Sequence, residues 1–267
     1  MKIHNPFALK KAAIHAKNSF RKDQFDFLDD QYMQKMDQLS SKYRGIKWLP
    51  LDIPKLVLPD QDFFLQMWAK ESVDSVRTNP DVAEPWTKEN HPAGFESTYY
   101  KAAWRSLSIY HAEPEKFVQD TTKIWKYKYI NHPAFYSIIF HAFTYLPFSY
   151  IDHIYIWESI TEILPHCDQS YFWSAPTDFR IMITDANPEP TLYVCDLETL
   201  DVNFIELPPD TNSFCWSNGT QMHGSNYLGH TKHNCIVNGI ICPDKMERLI
   251  DKSILKYRDK LNYKLDL

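Results

Sequence analysis

PHCDQSYFWSAPTDFRIMITDANPEPTLYVCDLETLDVNFIELPPDTNSFCWSNGTQMHGSNYLGHTKHNCIVNG, residues 165–239, decides how this chain folds. Within it, residues 179–184, 191–196, 202–207 and 213–216 are short runs rich in β-branched and aromatic residues. Turn chemistry separates them at residues 185–190, at 198–201, at Pro208-Pro209-Asp210 and at Asn218-Gly219. Residues 232–242 read as a last strand. Several short strands with no helical pattern between them predict an antiparallel sandwich or barrel of jelly-roll type.

The same stretch holds the residues with chemistry to offer. His166 and Asp168 form a His-x-Asp triplet ahead of the first run, His223 follows the Asn218-Gly219 turn, and Lys232 lies nine positions beyond His223. Two imidazoles and one carboxylate are the donor set of a non-haem Fe(II) site, which holds the ion on one face of an octahedron and leaves the other positions open. A Zn(II) hydrolase could use the same three ligands with a metal-bound water as nucleophile, although no further carboxylate stands out as its general base. Asp178 is a rival carboxylate, but it lacks a histidine two positions before it.

Working outward, the chain of 267 residues is long enough for one large domain with a full core. Apolar residues at 44% and charged residues at 24% are ordinary for a globular protein, whereas 15% aromatics with 6 glycines favour aromatic packing or an aromatic-lined pocket over a glycine-rich phosphate loop. A net charge of -5 gives no field that would draw in nucleic acid or an anionic membrane. The five cysteines lack a CxxC pair and mostly sit in apolar runs, so buried free thiols in a reducing compartment are expected. No apolar leader opens the sequence, and the expected location is cytoplasmic.

Residues 22–43 place Phe25, Leu28, Tyr32, Met36, Leu39 and Tyr43 at helical steps, predicting an amphipathic helix. Pro50, Pro54 and Pro59 keep residues 47–59 extended. A second helix is expected over residues 61–76, capped by Asp60, followed by a proline-rich loop to Phe95 that carries His91. The most apolar stretch, residues 135–157, is interrupted by His141, Asp152 and His153 and reads as a buried aromatic layer rather than a membrane span, with both histidines satisfied in the core. Residues 150–164 fit strand or helix equally. Pro243 opens a C-terminal helix with Met246, Leu249, Ile250, Ile254, Tyr257 and Leu261 on its apolar face. The organisation read from this is a single α+β domain: a mainly helical extension over residues 1–95, a β core over about 96–242 and a C-terminal helix over 243–267.

The His-x-Asp before a strand, the distal histidine after a Trp-x-Asn-Gly turn and the basic residue beyond it resemble the Fe(II)- and 2-oxoglutarate-dependent oxygenases, whose fold is a double-stranded β-helix of the cupin and jelly-roll kind. The resemblance covers roughly the last 100 residues. It implies His166, Asp168 and His223 as metal ligands, with no catalytic residue beyond them. It implies Lys232 as the partner of the far carboxylate of 2-oxoglutarate, Arg180 as a second candidate anchor and Tyr193 as a hydrogen-bonding helper. Many members carry arginine where Lys232 stands, while prolyl 4-hydroxylase-like members carry lysine. That similarity tilts the expected substrate toward an amino acid or peptide, with other small molecules open.

The implied reaction consumes O2 and 2-oxoglutarate, releases succinate and CO2, and hydroxylates a C–H bond. Trp173, Trp216 and His91 are the expected substrate contacts. His230 and His233, flanking Lys232, read as turn residues near the site. The competing reading from another class is a cupin-like binding module without redox chemistry.

Overall fold

The computed structural model describes residues 30–58, 64, 66, 76–78, 103–113, 129–159, 162–166, 175–184, 190–217, 221–226 and 233–265. The expected helix appears as α1, Asp30–Lys42, with Met36 and Leu39 buried at the predicted spacing. β1, Trp48–Pro50, is the proline-limited edge that follows it. Phe64 is buried within the expected second helix, most of which lies outside the described residues. Its predicted end is corrected, because Val76 opens a strand, β2, Val76–Thr78. The loop carrying His91 lies outside the described residues.

β3, Ala103–His111, leads to α2, Tyr136–Tyr145, and then to β4, Phe148–Ser159. The aromatic layer is therefore divided between a helix and a strand. It is also less buried than its hydropathy suggested: Ile138, His141 and Ala142 face inward, while Tyr136, Phe140 and Phe143 are 55%, 67% and 47% exposed. The ambiguous stretch 150–164 resolves as the rest of β4 and the start of β5, Ile163–His166.

The remaining strands are β6, Asp178–Thr184; β7, Leu192–Asp196; β8, Val202–Phe204; β9, Ser213–Trp216; β10, Gln221–Ser225; and β11, His233–Ile241. Five of these six were expected from the sequence; β10 was not. The turn between β7 and β8 is fixed by Asp196, whose Oδ1 accepts the N–H groups of Glu198 and Thr199, with Leu200 at φ 62°.

The described strands form two antiparallel sheets, one of order β1-β9-β6-β11-β4-β3-β2 and one of order β5-β10-β7-β8. Side-chain alternation sorts the large sheet into two faces. Phe179, Ile181, Cys215, Cys235, Val237, Ile154 and Ile156 join the main cluster with Met36 and Leu39 of α1, Ile138 of α2, and Met246 and Ile250 of the C-terminal helix. On the other face, Trp48, Met182, Phe214 and Trp216 pack with Leu192 and Val194 of the small sheet. Fully burying side chains of this size contributes about 1.5–3 kcal/mol each, so the two apolar layers dominate the fold's stability.

The C-terminal helix, α3, Pro243–Tyr257, begins at proline as the sequence predicts and buries Met246, Ile250, Ser253 and Tyr257. Lys35 and Lys42 of α1 reach Glu247 at 2.7 and 3.0 Å, and Lys42 also reaches Asp251 at 2.8 Å. These pairs are half-exposed, so their role is to set the register of two helices that burial already holds together. Cys195, Cys215 and Cys235 are buried free thiols, and burial pushes Cys195 up to about 12. Cys167 lies outside the described residues, among which no helix is long and apolar enough to cross a membrane.

Two measurements probe this scaffold. Gly239 sits beside a register shift where β11 crosses β4, and a Cβ there would meet the Tyr150 carbonyl and lie 2.9 Å from Ile151 Cα. Gly239→Ala is expected to lose about 1–3 kcal/mol in urea unfolding through this overlap. The second is acid sensitivity. Burial alone would raise the Asp52 carboxyl, but Lys252 and Lys256, each 2.8 Å away, hold it below its ordinary value of 3.8. A depressed folded value means stability present above about pH 4 and lost as pH falls through the folded value. Acid unfolding of Asp52→Asn should therefore show a flatter decline below pH 4 than the parent chain.

Candidate metal centre

β5 is the edge strand of the small sheet, and β10 lies between it and β7. Their register sets His166 opposite His223, and it shifts before Ser225, which faces Ile163. The two imidazole centroids stand 4.3 Å apart. His223 is buried and His166 exposed, so the pair straddles the boundary between the sandwich interior and solvent. Imidazole nitrogens bind a transition ion at about 2.0–2.1 Å, and two rings this close can reach one ion from adjacent directions.

The backbone of β10 is what brings His223 there. Gln221 Nε2 donates to the Ile46 carbonyl at 3.2 Å, and Asn226 N donates to the Thr191 carbonyl at 2.9 Å. Gly224, next to His223, leaves no room for a side chain: a Cβ would run into the Tyr193 hydroxyl and ring and into the Ile163 carbonyl. A glycine here lets β5, β10 and Tyr193 approach one another closely.

Behind His223 lies a stack of flat groups. Trp216 packs on His223 with centroids 5.3 Å apart at 35°, and the Arg180 guanidinium lies 4.4 Å from the Trp216 ring on β9. Asp178 holds Arg180 in a two-pronged ion pair, with Nε to Oδ1 at 3.0 Å and the terminal nitrogen to Oδ2 at 2.8 Å, both side chains 6% exposed. The stack keeps the His223 ring in place from within the core.

These positions correct several expectations. Trp216 is fully buried between Arg180 and His223, so it supports the histidine instead of touching a substrate. Tyr193 is opposite Gly224 while Val194 is opposite His223, which turns Tyr193 to the other face of the small sheet. There it packs with Cys195, Phe204 and Met222, and its hydroxyl donates to the Ile163 carbonyl at 3.4 Å. Asp178 and Arg180 neutralise each other, which removes Asp178 as a rival ligand in this arrangement and commits the Arg180 charge.

Asp168, Trp173, Lys232, His91 and His230 lie outside the described residues, and among the described residues no three His, Cys, Asp or Glu side chains cluster as a metal site. His233 is buried at the start of β11, edge-on to Phe64 at 5.2 Å, and is not the turn residue expected. His153 is a satisfied core histidine, its Nε2 2.7 Å from Ser108 Oγ. Burial, reinforced by His111, lowers it to about 4, so it is neutral near pH 7. His141 is equally buried, but its Nε2 has no hydrogen-bond partner.

No protein-family model and no curated protein matches this chain. Among solved structures, a Pseudomonas putida prolyl-4-hydroxylase aligns at 8% identity and a TM-score of 0.36, over 76% of this chain and 97% of the other. An oxidoreductase of the 2OG-Fe(II) oxygenase family from Burkholderia pseudomallei aligns at 12% identity and 0.32, over 77% and 92%. At these scores the likeness carries no argument, and the chain's own residues bear the reading.

The buried ion pair gives a direct test of the stack. Asp178→Asn removes the carboxylate that accepts two hydrogen bonds from the buried Arg180 guanidinium and is expected to cost about 3–5 kcal/mol in urea unfolding. The double replacement Asp178→Leu with Arg180→Met should recover most of that loss, since it removes both charges together.

Proposed function

We propose that this chain is an Fe(II)- and 2-oxoglutarate-dependent oxygenase on a double-stranded β-helix, hydroxylating a C–H bond of an amino-acid, peptidyl or other small substrate. The observation that carries the reading is the cross-strand pairing of His166 and His223 with ring centroids 4.3 Å apart. Asp168, two positions beyond His166 in sequence, would complete the donor set. Two imidazoles and a carboxylate fit Fe(II) chemistry and leave adjacent positions open. When bound, the iron supplies activation of O2 coupled to conversion of 2-oxoglutarate to succinate and CO2.

The protein's contribution is placement and exclusion of water. Trp216 fixes the plane of His223, and the apolar side chains of Val194, Phe214 and Met182 close the interior behind it. His166, exposed on β5, turns that side of the pair toward solvent. The far carboxylate of 2-oxoglutarate needs a cation, since an unpaired buried charge costs several kcal/mol. Arg180 already serves Asp178, which favours Lys232, just ahead of β11, for that role.

Anaerobic Fe(II) titration followed by 2-oxoglutarate turnover tests this reading. The parent chain is expected to bind about one Fe(II) and release succinate on admission of O2, and His223→Ala to lose both while staying folded. Retention of iron and turnover in a His223→Ala, Asp168→Ala double variant would sink it.

A further inference from the structure

α2 is apolar on both sides and covered on one. Ile138 and Ala142 join the main cluster beneath it, whereas Tyr136, Phe140 and Phe143, at steps of four and three, form a stripe along its outer side that is 55%, 67% and 47% exposed. The stripe runs on into the sheet: Tyr110 of β3 lies edge-on to Phe143 with centroids 5.1 Å apart. Burial, then the proximity of Tyr150 and Asp152, raises the Tyr110 hydroxyl, which sets Tyr150, itself 44% exposed, at the same end. A helix that is apolar all round belongs inside a protein, so its bare side calls for a cover.

Charge and area narrow what that cover is. Residues 129–151 contain no Asp, Glu, Lys or Arg, in a chain of which 24% is charged. Among the described residues, Asp152 beside Tyr110 and Glu113, three positions beyond it, stand at the Phe143 end, and His132 stands before the Tyr136 end with its Nδ1 accepting the Ala134 N–H. A charged partner would lose water here and gain no counter-charge, and a net charge of -5 disfavours an anionic bilayer. A second copy presents the same neutral rings. At about 200 Å² for each aromatic side chain, the four exposed rings leave about 400 Å² bare. Pairing two copies, with Ile139 and Thr144 alongside, removes about 1,000 Å² from water, the lower limit of a specific interface and the size of a weak, reversible one.

We propose that the stripe of Tyr136, Phe140 and Phe143 is the interface of a two-fold homodimer, in which the α2 helices of two copies pack antiparallel and Phe140 meets its own counterpart at the axis. Two-fold symmetry makes the contact self-complementary, with Tyr136 of one copy against Phe143 of the other. A helix of 10 residues is about 15 Å long, so the Asp152 ends of the two copies lie apart by more than the screening length of about 8 Å. The His132 end of one copy then meets the Asp152 end of the other, and no like charges oppose each other. This face is turned away from the small sheet, so the pairing uses neither His166 nor His223 and does not rest on the oxygenase reading.

Sedimentation velocity of the full chain tests the pairing. The parent is expected to move from 31.6 kDa toward twice that mass with a Kd of about 1–100 μM, insensitive to added salt because no charge crosses the contact. Phe140→Glu and Phe140→Lys should each weaken association by about a hundredfold or more, since like charges then face each other at the axis. Both should unfold at the temperature of the dilute parent, because Phe140 is exposed. An equimolar mixture of the two variants should pair again and come apart in high salt, as a contact of residue 140 with its own counterpart requires. A parent that stays monomeric at about 300 μM, a dimer that survives Phe140→Glu, or a mixture no more associated than either variant alone overturns the proposal. Flotation of a monomeric parent with neutral phosphatidylcholine vesicles, lost in Phe140→Glu, overturns it in favour of a bilayer surface.

Discussion

The Arg180 guanidinium, buried between two sheets, is the constraint on which the interior of this protein depends. A charge there is tolerable only with a counter-charge in good geometry, and Asp178, two residues earlier on the same face of the same strand, provides it with two hydrogen bonds. Once neutralised, the guanidinium becomes a flat, weakly hydrated surface for Trp216, and Trp216 becomes the wall against which His223 rests. The candidate metal site thus rests on a chain of contacts that begins with an ion pair and ends with an imidazole.

The opposite face of the large sheet is held by different physics. There, α1 and α3 lay aliphatic and aromatic side chains on the sheet, and half-exposed lysine–carboxylate pairs align the two helices. Asp52 links the segment after β1 to α3 through Lys252 and Lys256, and Lys256 continues to Asp210 near the start of β9. Apolar burial gives this layer its strength, and the charges fix its registry. The two faces divide the work: one packs the sheet against helices, and the other holds the buried ion pair and the stack behind His223.

Much of this was legible in the residues themselves. Helical spacing of Met36, Leu39 and Tyr43, and Pro243 at a helix start, located α1 and α3, because each pattern encodes one buried stripe. The short β runs at 179–184 and 213–216, buried on both faces, were legible from their β-branched and aromatic content between turn residues. β10 was not: Gln221, His223 and Ser225 are polar yet buried, so alternation carried no hydropathy signal. Tyr193 was placed on the wrong side because a one-residue offset in register exchanges the faces of a strand, and register between distant strands is not written in either one. The pairing of Asp178 with Arg180 could have been anticipated, since residues two apart on a strand share a face. The buried, unpartnered Oδ1 of Asn234 could not, because it depends on what fails to reach it.

The position of His166 on an edge strand has a further consequence. Among the described residues β5 pairs with β10, through a short and shifted register. An ion shared by His166 and His223 would act as a rivet across that seam, so part of its binding free energy would go into docking the strand. Observed metal affinity would then report local order as well as ligand chemistry, and amide exchange along β5 would slow as the ion binds. Under the proposed reading, iron occupancy and order along β5 would be two readings of one equilibrium.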